Sequence, residues 1–416
     1  MRLIKHHGLP QSGDCIEVAT AKTRILIDLG NSIAPANKTV EELKALRFLP
    51  DIQGLYKTEE KTINAIMLSQ AYADYSLLNY LHPDIPIYMS QAVYELINIS
   101  RIISGNRAEG LNCVPIKPKR AFAIGDINIG PYAVDARASD AVAFLITADK
   151  KKIFYSSDPR GHKNSSSLSA LMRVKAPSDL DCLLMDISTR DEAQQYRDEE
   201  SVERRIIEIL CSVQHITFLF SDAPNVTRLV SAYRACVRTN KLFVIDLFSA
   251  YILDKLRTVD KSVPEFNWRN VRIKFDAQQA ETMNTYGLNK LLYFYNSKKI
   301  DAFDISRKKN QVLVLVAHNI KFSRLVKDIG DIAGARAVYS DPGARISDEF
   351  KQYCIEKQIE IEFLDSTGLP SKEDAQTFAA SLDPKTLVPT RRTHTAQAGS
   401  LFKNIKILDD KETFEI

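Results

Sequence analysis

Seven short runs rich in branched and aromatic residues crowd the first 190 positions. They are TRILIDLG (23–30), NAIMLS (64–69), IPIYMS (85–90), INIGPYAVD (127–135), AVAFLITAD (141–149), KKIFYSSD (151–158) and CLLMDIS (182–188). Each is too short for a helix of ordinary length and is bounded by Gly, Asp, Pro or Lys, so each is read as a strand. AVAFLITAD and KKIFYSSD face each other across Asp149 and Lys150 as a hairpin. One helix, QAVYELINISRII (91–103), lies among them.

After position 190 the grammar changes to alternating helix and strand. EESVERRIIEILCSV reads as a helix and ITFLFS (216–221) as a strand. NVTRLVSAYRACVRT is a helix with Asn225 as N-cap, followed by the strand KLFVID (241–246) and the helix SAYILDKL. That is the grammar of a parallel sheet with crossover helices. Helical spacing also marks AQQAETMNTYGLNKLLYFYN, and strands are expected at QVLVLVA (311–317) and ARAVYSD (335–341). The tail alternates again: helix 347–357, strand IEIEFLDS (359–366), helix 371–381, and strands TLVPT (386–390) and NIKIL (404–408).

With 416 residues, a hydrophobic fraction of 45%, a charged fraction of 26% and a net charge of +4, the chain has the composition of an ordinary soluble protein. The six cysteines (15, 113, 182, 211, 236, 354) form no CxxC pair and mostly sit in apolar runs, so reduced, buried thiols are expected. No apolar run approaches the ~18 residues of a membrane span, and MRLIKHHGLP lacks the apolar core of a signal peptide. A cytoplasmic location without membrane association follows as the expectation.

In order along the chain, several segments resemble the metallo-β-lactamase-fold hydrolases that carry a β-CASP insertion, the ribonuclease J and cleavage-factor nucleases. SGDCIEVATAKTRILIDLG is similar to the opening strands and their Asp-Leu-Gly turn, placing Asp28 there. AIMLSQAYADYSLLNYLHPDIPIYMS is similar to the loop SH-x-H-x-DH and the elements after it. VDARASDAVAFLITADKKKIFYSSDPRGH resembles the segment bearing a further His and the bridging Asp, and LLMDIST the strand ending in an acid, here Asp186. PNVTRLVSAYRACVRTNKLFVIDLFSAYIL reads like the insertion, and LDSTGLPSKEDAQTFAASLDPKTLVPTRRTHT like the HASGHA and PIHT segments. The resemblance implies an α/β protein: an αββα metallo-β-lactamase sandwich formed by residues 1–190 and 345–416, interrupted by an α/β β-CASP cassette at 191–344.

The ligands do not carry over. Zinc hydrolases of this type hold the metal through neutral imidazole nitrogens at about 2.0–2.1 Å. The positions where the resemblance wants histidine hold Gln70, Tyr72, Tyr75, Ala136, Leu369 and Arg391, while Asp74 and Asp158 keep their acids. The resemblance therefore implies a catalytically inactive, hydrolase-like pseudo-nuclease without metal or other cofactor. Such a chain would bind RNA, DNA or a protein partner, such as an active paralogue or a second copy, in the cleft between domains. The rival reading is a hydrolase rebuilt on carboxylates, which suit Mg²⁺ or Ca²⁺, or one without metal. Asp74 would otherwise serve as a helix cap. A Ser69, His394 and Asp158 triad is a cheap coincidence among so many serines.

Arg391 is expected to sit between Asp74 and Asp158, replacing the metal charge with a guanidinium; the bland alternative is an arginine in solvent. PIKPKRAF, HNIKFSR and TRRTHT are basic stretches in which Lys117, Lys119, Arg120 and Arg392 would meet phosphates and Phe122 or Phe322 would stack on a base. The competing reading is a solvated basic surface. His6 and His7 are strand neighbours pointing to opposite faces and do not chelate together.

Overall fold

The computed structural model describes residues 1–7, 14–30, 38–71, 76–104, 111–134, 141–156, 177–189, 198–221, 225–258, 260–261, 263–317, 321–340, 346–364, 369–391 and 401–416. The chain is α/β and divides into two compact units, 1–190 with 369–416, and 191–368.

The first unit is built on two mixed sheets. One runs in the order Thr413–Glu415, β1 (Arg2–His7), β2 (Asp14–Ala19), β3 (Arg24–Ile27), β4 (Ala65–Met67), β5 (Ile87–Ser90) and β6 (Cys113–Ile116). The other runs Thr386–Pro389, β11 (Cys182–Met185), β10 (Lys151–Tyr155), β9 (Ala141–Ala148), β8 (Ile127–Val134) and β7 (Phe122–Ile124). Side chains on a strand alternate between faces. Ile25 and Ile27 of β3 accordingly join Phe144, Ile146 and Leu184 in a core shared by the two sheets. Leu26 points the other way, into a second cluster with Val40, Leu43, Val93 and Ile97 from the covering helices Val40–Ala45 and Gln91–Ile103. The outer face of the second sheet is covered in the same way by Ala375, Phe378 and Leu382 of helix Lys372–Leu382. The layers are therefore helix, sheet, sheet, helix.

The second unit carries a wholly parallel sheet. Its order is β15 (Lys299–Ile300), β14 (Val271–Lys274), β13 (Leu242–Asp246), β16 (Val312–Val316), β12 (Thr217–Phe220), β17 (Arg336–Tyr339) and β18 (Glu360–Phe363). All five residues of β16 are buried, as a central parallel strand covered on both faces requires. The helical pattern of 277–296 resolves into two helices, Ala277–Thr285 and Asn289–Asn296. Gly287 separates them in a left-handed conformation, φ +72°. There the Leu288 and Gly287 amides return to the Met283 and Asn284 carbonyls, both at 2.9 Å, in a glycine-dependent helix stop.

Two expectations change. The division falls after 368, where 344 was expected, because β18 adds to β17 in parallel register and Glu362 pairs with Arg205 and Arg336 of the same unit. NIKIL makes only a single parallel bridge, Leu387 with Ile405, instead of a strand. Of the cysteines, Cys15, Cys182, Cys236 and Cys354 are buried, Cys113 is half-buried and Cys211 is exposed.

Candidate functional site

β3 and β4 are parallel in one sheet, and β10, β11 and Thr386–Pro389 are parallel in the other. The residues that follow these strands are Asp28, Ser69 with Gln70, Ser156, Asp186, and Thr390 with Arg391. One bond shows that both sets of strand ends lie on one edge: Tyr155, the last residue of β10, donates its hydroxyl to Asp28 Oδ2 at 2.5 Å. Carboxyl ends of parallel strands are where open α/β sheets collect ligands.

Asp28 takes a left-handed backbone conformation, φ +53°, and its amide bonds the Met67 carbonyl at 2.9 Å. That kink turns the side chain toward the end of β4. There the Ser69 amide donates to Oδ1 at 2.8 Å and the Ser69 hydroxyl to Oδ2 at 2.7 Å. Ser69 in turn accepts from the Val142 amide at 2.8 Å, tying in the start of β9. Asp28 is 2% exposed, and the Ser69 amide, the Ser69 hydroxyl and the Tyr155 hydroxyl are among the donors that offset its desolvation.

Asp186, 4% exposed, accepts from the Ser188 amide at 2.9 Å, and its other oxygen lies 3.3 Å from Arg391 Nε. The Arg391 side chain is 36% exposed, so the pair faces partly into solvent. Arg391 is placed by its strand: the Thr390 amide bonds the Met185 carbonyl at 3.0 Å. Beneath this edge, Lys5 of β1, only 2% exposed, donates to the Pro389 carbonyl at 2.8 Å.

Gln70 is buried at this edge, and Leu369 is half-buried at the re-entry of the chain into the first unit. Tyr72, Asp74, Tyr75, Ala136, Asp158 and Arg392 lie outside the described residues, as does His394 of the triad reading. Among the described residues Arg391 pairs with Asp186, the acid that the resemblance places at the end of the LLMDIST strand. Among the described residues no group of three or more His, Cys, Asp or Glu side chains could hold a metal ion.

Lys117, Lys119 and Arg120 are exposed on the turn between β6 and β7. β6 is parallel to β5 and β5 to β4, so this turn leaves the same edge as Asp28. Three strand spacings separate it from β3, roughly 14 Å. Phe122 is half-buried and stacks on Tyr88, with centroids 4.9 Å apart. Phe322 is not available for stacking on a base. It opens a helix, Phe322–Ile329, whose Phe322, Leu325, Val326 and Ile329 form one buried stripe, and its ring packs edge-on against Phe218.

The sequence reading missed Tyr155 as a partner for Asp28. Alternation along β10 put it inward, and a buried tyrosine hydroxyl calls for a polar partner, but which one depends on a contact 127 residues away. It also missed the buried His6–Glu17 pair and the half-buried Arg24 that joins it. His6 Nε2 lies 2.9 Å from Glu17, and Arg24 Nε donates to it at 2.7 Å. Burial pushes the Glu17 carboxyl up, but these hydrogen bonds and the Arg24 charge outweigh it and hold the group down to about 2.

No family model matches the chain, and no curated protein matches it. Its fold is similar to the crystal structure of a protein of unknown function from Enterococcus faecalis V583, with a TM-score of 0.75 and 21% identity over 100% of this chain and 99% of that one. The likeness spans both units and concerns the fold alone. With 230 solved chains matching, the architecture by itself selects no function.

Proposed function

We propose that the chain is a degenerate metallo-β-lactamase-fold protein of the β-CASP type, a pseudo-nuclease that works by binding and not by hydrolysis. The observation that carries this reading is the engagement of the strand-end acids by the protein's own donors: Ser69 and Tyr155 on Asp28, Ser188 and Arg391 on Asp186. In a two-metal hydrolase, acids at such strand ends serve cations and a metal-bound water. Here a guanidinium and neutral donors meet them. The helix-sheet-sheet-helix layering and the interruption by a parallel α/β unit are consistent with the family's plan.

Nucleic acid is the preferred occupant, with the exposed Lys117, Lys119 and Arg120 turn supplying phosphate contacts on the same edge as the acids. The test combines metal analysis of protein purified without added metal, a phosphodiesterase assay, and single-stranded RNA and DNA binding at several salt concentrations. The reading expects substoichiometric zinc and manganese, no cleavage, and affinity that falls steeply with salt and drops when the three cations are reversed. One or two equivalents of metal with cleavage would overturn it. Salt-independent capture would move the partner to protein.

A further inference from the structure

In the second unit, β13 and β16 are neighbours in the parallel sheet. Helix Leu247–Arg257 carries the chain from β13 out to β14, while helix Phe322–Ile329 carries it from β16 the other way, past β12 to β17. Adjacent strands whose helices depart in opposite directions leave a crevice at their carboxyl ends, where doubly wound sheets take up ligands. A void of about 20 Å³ lies in that crevice, room for one water-sized group. Among its walls Asp246, Lys274 and Asp276 carry the hydrogen-bonding side chains.

Asp246, the last residue of β13, is 3% exposed. Its Oδ1 accepts the Ser249 amide at 2.6 Å, capping helix Leu247–Arg257. Its Oδ2 is buried with no close hydrogen-bond partner among the described residues, and the same holds for the Ser249 hydroxyl and for Gln279 Nε2. The Gln279 carbonyl is already taken by the Leu247 amide at 3.1 Å, which leaves the NH₂ as its unused end. Burial pushes the Asp246 carboxyl up; the nearby Ser249 and Gln279 side chains only partly counter this, and the Asp276 charge adds to it. Buried polar groups left unpaired side by side are costly, and a bound group that brings a donor to Asp246 removes part of that cost.

We propose that this crevice binds a neutral ligand by its hydroxyl groups, the vicinal diol of a furanose, with Asp246 Oδ2 accepting from one hydroxyl. The signs of charge around the void select this class. An anion would face the carboxylates of Asp246 and Asp276. A bare cation would face Lys274 and the first amides of two helices, Leu247–Arg257 and Ala277–Thr285. A hydroxyl gives its hydrogen to the carboxylate and can accept one from Lys274. The void has room for one such group, and the rest of the sugar stays outside it. In doubly wound sheets an acid near the switch point receives ribose hydroxyls in this way. The turn after β12, SDAPN, has no glycine to cradle a pyrophosphate, which argues against a dinucleotide. The site lies within the second unit and does not depend on the strand-end acids of the first.

The test is calorimetric titration of the full chain with two pairs of probes. Adenosine is compared with 2′,3′-dideoxyadenosine, and methyl β-D-ribofuranoside with tetrahydrofurfuryl alcohol; the second member of each pair keeps the primary hydroxyl and lacks the diol. In at least one pair the diol is expected to bind about tenfold or more tightly than its partner. A preference in the first pair alone identifies a nucleoside as the ligand, and one in the second pair identifies the sugar itself. Asp246→Asn is expected to abolish the preference. The cap holds the asparagine carbonyl on the Ser249 amide, so its NH₂ would meet the hydroxyl where an acceptor is needed. No preference in either pair, or an unchanged preference in Asp246→Asn, overturns the proposal. A second measurement on the wild-type chain stands even if that variant does not fold. The preferred diol should raise the melting midpoint, and its partner at the same concentration should not. Equal shifts within both pairs reject the site.

Discussion

Asp28 and Asp246 occupy comparable places in the two units. Asp28 directly follows β3 and Asp246 closes β13, both strands lie in parallel pairs, and the two side chains are 2% and 3% exposed. Their surroundings differ. Asp28 receives the Ser69 amide, the Ser69 hydroxyl and the Tyr155 hydroxyl. Asp246 caps helix Leu247–Arg257 by accepting the Ser249 amide at 2.6 Å, and its second oxygen has no close hydrogen-bond partner among the described residues. Burial pushes the Asp246 carboxyl up, and the nearby Ser249 and Gln279 only partly counter it. The same residue type at the end of a buried strand thus meets several close donors in one unit and fewer in the other. What decides is the number of donors that reach it, more than its depth.

The same chemical change at each site breaks or sustains this contrast most directly. Asp28→Asn is expected to cost roughly 3 kcal/mol in urea unfolding, because an amide NH₂ would meet donors that need an acceptor. Asp246→Asn should stay within about 0.5 kcal/mol of wild type or gain stability, since asparagine caps a helix as well as aspartate and carries no charge to bury. Equal losses at the two sites would end the comparison.

The next effect is a pH dependence of opposite sign. Glu17 is held down to about 2 in the folded chain, against an ordinary value of 4.5. Its stabilisation is complete above about pH 4.5 and is lost as pH falls through about 2, on the order of 3 kcal/mol in all. Asp254 of the second unit is raised to about 6, chiefly by burial and despite the Tyr295 hydroxyl that donates to it at 2.7 Å. A raised carboxyl costs stability above about pH 6, and that cost disappears as pH falls toward 4, roughly 2 kcal/mol. Unfolding of Glu17→Gln should lose the acid limb, and that of Asp254→Asn should lose the slope between pH 4 and 6. Wild-type slopes surviving in both variants would show that other groups carry them.

Arg391→Ala is expected to have the smallest effect, about 1 kcal/mol, because a side chain 36% exposed is screened by solvent even though its partner Asp186 is buried. A loss several times larger would mean that Arg391 compensates more acids than Asp186, as the metal-replacement expectation for Asp74 and Asp158 requires. A melt indistinguishable from wild type would reduce the ion pair to a surface contact.

Local pattern alone determined much of the chain. The helix at 91–103 begins and ends where its spacing predicts, and Ser90 caps it through the Val93 amide. The hairpin turns at Asp149 and Lys150, both with positive φ, as a tight two-residue connection between twisted strands demands. Asn225 caps its helix through the Arg228 amide as expected. These features depend on residues within a turn or two of each other, where side-chain periodicity and backbone preferences act directly. Tertiary structure decided the rest. Phe322 looked like a ring for stacking on a base until the helix it opens laid its apolar stripe on the parallel sheet of the second unit. Residues 346–364 went to the second unit because β18 found its partner in β17. Asp28 met Tyr155, and Arg391 met Asp186. Each of these depends on which distant strand or helix comes alongside, and on the donors and acceptors it brings, information that no local window of sequence contains.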